Sequence, residues 1–460
     1  MTGAVYFAAT VYWVADTMVV YGGLARPVAV AVTGLLVGYL AIYPGLASLI
    51  LARSVRRWGS RALLAGPLVW VATEFARAQL FTGFPWVLLG YSQATAPPVL
   101  QVASLGGIYA VSALVALPSA AVAHALLVRD RRAVPALLAA FGIVTGCAAW
   151  GQWRVSRGEL LRAGVPLRAA VVQGNIPQDV KWDRSHASWI LERYLTLSRD
   201  AARRGAALIV WPETSTPFVY AGSAPGRAAL ADLARESGAA LLVGSDEIVA
   251  ESPPRYYNAA YLVGPDGQTA GAYRKMHLVP FGEYVPLASL LFFVGPLVES
   301  VSSFSAGEDL STFPVAGHRV TTAICYESVF PEIARQAVAE GSALLTTITN
   351  DAWYGMSSAP FQHFEQGSVR AVEQGRYLLR AANTGISAVV DPYGRPVVRS
   401  GLFVEAALVA DVRLLTHRTS YATIGDSFAW ASVLLSGVLW AWPRRRAGRP
   451  VQGASRDTQS

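Results

Sequence analysis

Long apolar stretches constrain the fold of this chain more than any other feature of its sequence. A helix needs about 20 mostly apolar residues to cross the hydrocarbon core of a bilayer. Six stretches meet or approach that length, at residues 3–23, 27–52, 61–80, 99–128, 133–153 and 425–442. Charged residues make up only 15 % of the chain and hydrophobic residues 53 %, which excludes intrinsic disorder. The sequence therefore predicts a multi-span α-helical membrane bundle.

The segment between the fifth and sixth apolar stretches has ordinary globular patterning. It is far too long to be a loop, so it is predicted to form a domain of its own. We therefore expect four parts: a membrane bundle with five spans at 1–153, an extracytoplasmic domain at 154–424, a C-terminal span at 425–442 and a basic cytoplasmic tail at 443–460.

Arginine clusters predict the orientation of these spans, because short cytoplasmic loops are enriched in Lys and Arg. Clusters follow the second, fourth and sixth apolar stretches (Arg53, Arg56, Arg57 and Arg61; Arg129, Arg131 and Arg132; Arg444, Arg445 and Arg446). If all three are cytoplasmic, the spans alternate without conflict and the large domain lies outside. Each cluster adjoins an apolar span, so topology explains the net charge of +8 better than nucleic-acid binding does.

Three ionisable residues lie at or near membrane depth: Asp16, Glu74 and Arg77. Such groups are costly there and are often functional. Alternatively, Glu74 and Arg77 are three residues apart on one helix face and pair with each other near an interface. The sequence leaves both interpretations open.

Residues 154–424 alternate buried strands with amphipathic helices. The patterns predict strands at 167–173, 206–211, 239–244, 258–264, 269–273, 320–325 and 343–349, helices near 186–204, 225–237, 331–340 and 361–377, and a hairpin-like segment at 386–398. This order predicts an α/β domain whose strands are buried on both faces or packed sheet on sheet.

Polar residues stand where several of these strands end, which is where α/β folds place their chemistry. Glu213 and Cys325 each follow a buried strand, and Lys275 follows the hairpin. Only two of the 38 basic residues are lysines, Lys181 and Lys275, so a specific reason to retain Lys at these positions is expected.

These three residue types permit nucleophilic acyl transfer. A Cys thiol is a good nucleophile once ionised, and a nearby cation or a helix N-terminus lowers its pKa. Lys275 is a candidate for that cation and for stabilising an oxyanion. Glu213 is a candidate general base. Taken singly, each residue also fits an ordinary structural role. A buried Cys, for example, more often packs as a small hydrophobic residue than acts as a nucleophile.

Several local motifs carry a resemblance to a known family. They are VQGNIPQ at 172–178 with KW at 181–182, VWPET at 210–214, YRKMHLVPFGEYVP at 273–286, ICYE at 324–327, TNDAWYG at 349–355 and GFPW at 83–86. Together they resemble the nitrilase superfamily and, within it, the membrane-bound bacterial apolipoprotein N-acyltransferases. The resemblance covers nearly the whole chain. It implies an αββα sandwich for the extracytoplasmic domain. It also implies eight spans, whereas six are counted here. The difference of two arises because the first residues of this sequence resemble the family's third span.

The resemblance implies a catalytic triad of Glu213 as general base, Lys275 as stabiliser of the oxyanion and thiolate, and Cys325 as nucleophile. It also implies that Trp182, Glu283, Tyr326 and Glu327 are needed. We assign Glu283 to holding Lys275 or the incoming amine, and Tyr326 and Glu327 to shaping the pocket beside Cys325. Ordinary packing or capping is the alternative for these four residues.

The implied reaction moves an acyl chain from a membrane phospholipid, through a Cys thioester, to the α-amino group of the lipidated N-terminal cysteine of an apolipoprotein. It implies an acyltransferase in the bacterial inner membrane with its catalytic domain on the periplasmic side. No cofactor and no metal are expected, and the partners are phospholipid, diacylglyceryl-modified apolipoprotein and the bilayer, without nucleic acid.

Two other classes of function remain open: a membrane-anchored amidase that hydrolyses small amides, and a non-catalytic membrane scaffold. The apolar run around residues 290–293 is too short to span the membrane and follows the Lys275 motif directly. It argues against the amidase, because an enzyme for small amides would need a closed polar pocket without lipid access. We hypothesise that this run is an arm that admits lipid acyl chains to Cys325. Its core residues are Leu290, Leu291, Phe292 and Phe293.

Overall fold

A computed structural model describes residues 1–284 and 304–441. The N-terminal part and the C-terminus are helical. Seven helices precede the first strand: α1 Thr2–Thr10, α2 Trp13–Val20, α3 Arg26–Trp58, α4 Gly66–Gln79, α5 Pro97–Leu100, α6 Ala103–Val128 and α7 Val134–Arg157.

Within the described residues, each of the six predicted stretches contains helix, but the helices differ in length. Among the described residues, α3, α6 and the helical segment that contains α7 are long and apolar enough to cross a membrane. If the pair α1 and α2, which is bent by 44°, is counted as one span, the number of such segments rises to four. The stretch at 61–80 is divided between a 3₁₀ turn and α4, so its α-helix is shorter than predicted. The total of six spans therefore stays a prediction.

Twelve strands within the described ranges form two six-stranded sheets. The first has the order β12-β1-β2-β3-β4-β5 and the second β11-β10-β9-β8-β7-β6. Their bounds are β1 Val165–Gln173, β2 Leu208–Val210, β3 Ala240–Val249, β4 Arg255–Val263, β5 Thr269–Arg274, β6 Phe313–Val315, β7 His318–Ile324, β8 Ser342–Thr349, β9 Leu378–Ala382, β10 Ala388–Val390, β11 Pro396–Arg399 and β12 Ala406–Leu414. In each sheet, three neighbouring strands are parallel, β1-β2-β3 and β7-β8-β9.

Six further α-helices lie in the part of the chain that the structure describes: α8 Ala187–Arg203, α9 Ala224–Ser237, α10 Pro331–Ala339, α11 Ala359–Gln374, α12 Ser420–Ile424 and α13 Ser427–Ala441. One apolar core lies between the two sheets, where side chains such as Val171 and Leu379 meet. A second core joins the outer face of the first sheet to α8 and α9. A third joins the second sheet to α10 and α11. The layers are therefore α-β-β-α, which confirms the predicted sandwich.

Several predicted boundaries differ from the structure. The sequence pattern does not predict β6, β9 or β12. The helix predicted at 361–377 ends at Gln374, because Gly375 takes a left-handed φ of +61° and the chain turns into β9. The strand predicted at 320–325 ends at Ile324, and Cys325 begins a 3₁₀ turn.

The helical bundle packs directly on the sandwich. An apolar cluster joins Phe7 and Trp13 of the bundle to Tyr326 and Phe330 of the domain. A second cluster joins α4 and α6 to α11. The bundle therefore covers one end of the domain instead of being tethered to it by a linker.

The loop after α4 is fixed by the two membrane-depth ionisable residues. Arg77 donates to the main-chain oxygens of Phe84 and Trp86, at 3.0 and 2.7 Å. Glu74 accepts a hydrogen bond from the main-chain N–H of Leu89 at 2.6 Å. Neither forms an ion pair with the other among the described residues, so the interpretation that they pair is replaced by one in which both hold this loop. Asp16 pairs with Arg26 at the exposed N-terminal end of α3.

Candidate active site

Glu213 follows β2 and is fixed on both carboxylate oxygens. Its Oε1 accepts a hydrogen bond from Asn258 Nδ2 at 2.7 Å, and its Oε2 accepts one from the main-chain N–H of Asn350 at 2.8 Å. The backbone beside it passes so close to Gly244 that a Cβ there would lie 2.8 Å from the Cα of Glu213. The carboxylate is therefore held in one orientation at the meeting point of the two sheets.

Lys275 lies between two carboxylates. Its Nζ donates to Glu283 Oε1 at 2.8 Å and lies 3.7 Å from Glu213 Oε1. Burial alone lowers the pKa of Lys275, but the charges of Glu283, Glu213 and Cys325 outweigh burial and raise this pKa above its usual value. Lys275 is 1 % exposed and stays cationic, as a stabiliser of negative charge must.

Glu283 holds that cation, the first of the two assignments made for it. It accepts from Lys275 through Oε1 and from the main-chain N–H of Val279 through Oε2, at 2.8 Å each. Asn258 Nδ2 also lies 3.1 Å from the same Oε1. One amide therefore ties both carboxylates that flank Lys275 into a single buried cluster.

Cys325 stands at the sharp turn after β7. Its φ is +54°, a left-handed conformation that costs a non-glycine residue energy and that is concentrated at functional sites. Its main-chain oxygen accepts a hydrogen bond from Ser328 Oγ at 2.9 Å and lies 3.1 Å from His363 Nε2. The surrounding side chains thus hold the turn in its strained form.

Opposing influences act on the ionisation of Cys325. Burial, followed by the charge of Glu213, raises the pKa of the Cys325 thiol, and the opposing effect of Lys275 is smaller. The nearby cation expected from the sequence is therefore present, but burial opposes its effect on this pKa. A thiol in such surroundings needs a base to remove its proton at the moment of attack.

Glu327 is completely buried and acts as a hub for hydrogen bonds. Its Oε1 accepts from Tyr273 Oη at 2.8 Å and from the main-chain N–H groups of Met276 and His277, at 2.7 and 3.0 Å. Its Oε2 accepts from the N–H of Ile324 at 2.7 Å. Glu327 thus fastens the segment that carries Lys275 to Ile324, the last residue of the strand before Cys325.

Tyr326 and Trp182 differ in burial. Tyr326 is buried, donates to the main-chain oxygen of Gly83 at 3.3 Å and stacks on Trp86 with ring centroids 6.3 Å apart. It therefore connects the nucleophile's turn to the bundle loop. Trp182 is 58 % exposed, which makes core packing wrong as an explanation for it, and its ring lies 5.9 Å from Lys181 Nζ.

The site also contains residues that the sequence did not single out. Asn258 was predicted only as the start of a hairpin strand. Asp351, His363 and Arg380 form a buried cluster under Cys325, with His363 Nδ1 2.9 Å from Asp351 Oδ1 and Arg380 Nη2 donating to Asp351 Oδ2 at 2.8 Å. Of these three residues, Asp351 lies within the TNDAWYG motif at 349–355, which was the sequence signal for this cluster.

The proposed arm residues Leu290, Leu291, Phe292 and Phe293 lie outside the described residues, so the hypothesis of a lipid-admitting arm stays a prediction. The tail at 443–460, with its cluster Arg444, Arg445 and Arg446, lies outside them as well.

Comparison with known proteins finds two families and several solved structures that parts of this chain resemble. Residues 168–420 match the carbon-nitrogen hydrolase family, and residues 1–121 match the N-terminal domain of apolipoprotein N-acyltransferases. A Nesterenkonia amidase structure is 24 % identical with a TM-score of 0.42, covering 55 % of this chain and 93 % of its own. A nitrilase-superfamily structure from Saccharomyces cerevisiae is 20 % identical with a TM-score of 0.44, covering 54 % and 90 %.

The family match over residues 168–420 shows that the sandwich is a carbon-nitrogen hydrolase domain. Full-length relatives narrow the class. The apolipoprotein N-acyltransferase of Geobacter metallireducens is 38 % identical over 97 % of this chain and 86 % of its own length. The apolipoprotein N-acyltransferase of Methylococcus capsulatus is 37 % identical over 96 % of this chain and 86 % of its own length. The chain belongs to the apolipoprotein N-acyltransferase family and is a membrane acyltransferase. The scaffold alternative is thereby excluded, and the amidase alternative retains only a distant likeness of fold.

Proposed function

We propose that the chain transfers an acyl chain from a membrane phospholipid to the α-amino group of the lipidated N-terminal cysteine of apolipoproteins. Cys325 is the nucleophile, Glu213 the general base and Lys275 the cation that stabilises the oxyanion. The observation that carries this assignment is the buried cluster in which Lys275 lies 2.8 Å from Glu283 and 3.7 Å from Glu213, beside a strained Cys325 turn.

In the first step, Glu213 takes the thiol proton as the sulfur of Cys325 attacks the ester carbon. A C–S bond forms, and the negative charge on the carbonyl oxygen is stabilised by Lys275. The ester C–O bond then breaks, and Glu213 returns the proton to the departing lysophospholipid oxygen. A raised thiol pKa suits this order, because Glu213 then removes the proton as the sulfur attacks.

In the second step, the α-amine of the acceptor attacks the thioester carbon. A C–N bond forms and the C–S bond breaks, while Glu213 carries a proton from the nitrogen to the departing sulfur. The products are an amide on the lipoprotein and the free thiol of Cys325. A thioester suits a two-substrate reaction because it persists until an amine arrives.

Lipid access is supported by the contact between the nucleophile's turn and the bundle. Tyr326, the neighbour of Cys325, binds Gly83 and stacks on Trp86, both in the loop between membrane helices. An amidase for small water-soluble substrates has no need for this contact. A phospholipid in the outer leaflet, in contrast, has to reach Cys325 along the surface of the bundle.

We further propose the inner membrane as the location and a periplasmic catalytic domain, with the division into four parts given by the sequence. The contacts of α13 support this orientation. Arg57 donates to the main-chain oxygen of Trp440 at 2.8 Å, and the Arg53 guanidinium lies 4.7 Å from the Trp440 ring centre. The C-terminal end of α13 therefore lies beside an arginine cluster, whereas its N-terminal end continues from the catalytic domain.

Intact-mass measurement tests the reaction directly. The full-length protein in detergent is mixed with phosphatidylethanolamine, and the mass is followed before and after a synthetic diacylglyceryl lipopeptide is added. We expect a mass increase of one acyl group that the lipopeptide removes, with N-acylated peptide as the product. If no adduct forms under conditions of turnover, the thioester route is wrong.

A further inference from the structure

The two lysines of the chain meet at the same residue. Lys181 and Lys275 are 94 positions apart, yet one contacts the main chain of Glu213 and the other its carboxylate. Every other basic residue is arginine. Arginine keeps its proton under all conditions relevant to proteins, whereas a buried lysine can lose it. The placement of Lys at these two positions alone therefore indicates a need that arginine does not meet.

Lys181 is buried but has few hydrogen bonds. It is 7 % exposed, and its Nζ donates to the main-chain oxygen of Glu213 at 3.2 Å. An ammonium has three N–H donors, and that bond is the one described for this group. The mechanism given above does not use this amine, although it lies within the electrostatic range of Cys325.

The groups that face Lys181 come from three other segments. They are Glu213 after β2, Asp246 on β3 and Cys325 after β7, whose charges act on Lys181, and Lys275 lies 3.7 Å from the carboxylate of the same Glu213. Burial lowers the pKa of Lys181 to about 8, although Glu213, Asp246 and Cys325 oppose that change. Burial also raises the pKa of Asp246 to about 6, which Lys181 opposes. Lys181 is thus able to exchange a proton near neutral pH.

Transfer to an amine requires the removal of two protons. A peptide α-amino group has a pKa of about 8 and arrives mostly as ammonium, without a free electron pair. One proton has to leave before the nitrogen can attack. The second leaves as the C–N bond forms, and Glu213 passes it to the departing sulfur. Glu213 therefore accepts the second proton, and the first proton needs another acceptor.

We propose that Lys181 is a further catalytic residue, which accepts the first proton from the α-ammonium of the acceptor. The neutral amine of Lys181 takes this proton and becomes ammonium, and the acceptor becomes a free amine that attacks the Cys325 thioester. After the product leaves, Lys181 releases the proton to solvent. This inference rests on the proposed function and concerns only its second step.

Two variants separate this role from a structural one. Lys181→Arg keeps the charge and the donor but cannot lose its proton, and Lys181→Met keeps the length without either. Acyl-enzyme is formed from phosphatidylethanolamine and measured by intact mass, and the lipopeptide is then added between pH 6.5 and 9.5. We expect both variants to acylate Cys325 at near the normal rate. Transfer at pH 7 should fall about 10- to 100-fold.

The pH dependence gives the decisive readout. Above pH 9 the acceptor is already a free amine, so the ratio of normal to variant transfer rates should shrink by about tenfold between pH 7 and 9.5. If acylation falls as much as transfer, or if the ratio is the same at both pH values, Lys181 is only structural and the inference is wrong. If the unmodified protein forms no acyl-enzyme, it is the proposed function that fails.

Discussion

The indole ring of Trp86 stacks on the imidazole of His363, with ring centroids 5.5 Å apart and planes 29° apart. Trp86 belongs to the loop between α4 and α5, and His363 lies on α11 of the sandwich. His363 Nε2 in turn lies 3.1 Å from the main-chain oxygen of Cys325. Together with the stack of Trp86 on Tyr326, this contact links the strained turn at Cys325 to the helical bundle.

Trp86→Leu should therefore slow acylation of Cys325 and also destabilise the fold, because Trp86 is buried and its Nε1 donates to Gln362 at 2.7 Å. Truncation of a buried Trp to Ala costs about 3–5 kcal/mol, which is an upper bound for Leu. The acylation rate and the melting temperature are measured together. Trp153→Leu is the control, since Trp153 is 55 % exposed. Equal acylation rates in the two variants would contradict the link.

Cys325→Ser should abolish the acyl-enzyme adduct, and Cys147→Ser should not. A hydroxyl ionises far less readily than a thiol, and the site's base is a carboxylate, a weak base for an alcohol. Cys147 lies on α7, away from the charged cluster. Intact mass after exposure to phosphatidylethanolamine gives the readout. Near-normal transfer by Cys325→Ser would disprove its role as nucleophile.

Tyr326 offers a pair of variants that separates its hydroxyl from its ring. Tyr326→Phe removes one hydrogen bond to Gly83, worth about 0.5–1.5 kcal/mol, and keeps the stack on Trp86. Transfer should stay within a few fold of normal. Tyr326→Ala removes the stack and should cost about 3–5 kcal/mol of stability and most of the activity. The thermal melt and the transfer rate are compared, and a large loss in Tyr326→Phe would instead show that the hydroxyl acts in the reaction.

Asp351→Asn should be strongly destabilising, by about 3–5 kcal/mol, because it leaves the buried Arg380 guanidinium without its carboxylate. Burial raises the pKa of Asp351, but Arg380 and His363 outweigh burial and hold it below its usual range. Because this pKa is lower in the folded state, the stabilisation is complete above about pH 5 and is lost as the pH falls below about 4.

The melting temperatures of the normal protein and Asp351→Asn should therefore differ by a constant amount at neutral pH and converge in acid. Asp411→Asn is the control, because the Asp411 side chain is 79 % exposed and its pair with Arg168 is worth at most about 1 kcal/mol. A difference that does not change with pH would contradict the role of this carboxylate charge.

Orientation is testable in whole cells. An impermeant thiol reagent should label a cysteine placed at exposed Arg203 of the sandwich in intact spheroplasts, and should not label one placed at Arg131 between α6 and α7. The arginine clusters predict this result, since they hold the α6–α7 loop on the cytoplasmic side. The reverse pattern would overturn the proposed topology. Lysed spheroplasts, in which both positions are accessible, give the control.

Local sequence was enough for the elements whose signal is local. Apolar length predicts the helices of the bundle, and buried runs such as 343–349 predict the central strands, because burial on both faces leaves a continuous apolar pattern. The strand β9 was missed for the opposite reason. It carries Arg380, whose guanidinium is completely buried against Asp351, and such burial depends on a partner 29 positions away.

The sequence by itself predicted the membrane bundle from apolar length and an α/β domain from strand periodicity, because both signals are written in contiguous residues. The resemblance carried by its short motifs added the αββα sandwich and the candidates Glu213, Lys275 and Cys325. Only the tertiary structure decided how these residues are charged and held. The raised pKa of the Cys325 thiol, the bridge of Asn258 between two glutamates and the placement of Lys181 behind Glu213 all depend on burial and on neighbours from distant segments. Electrostatic energies depend on distance and dielectric environment, and neither is defined until the two sheets and the bundle have packed together.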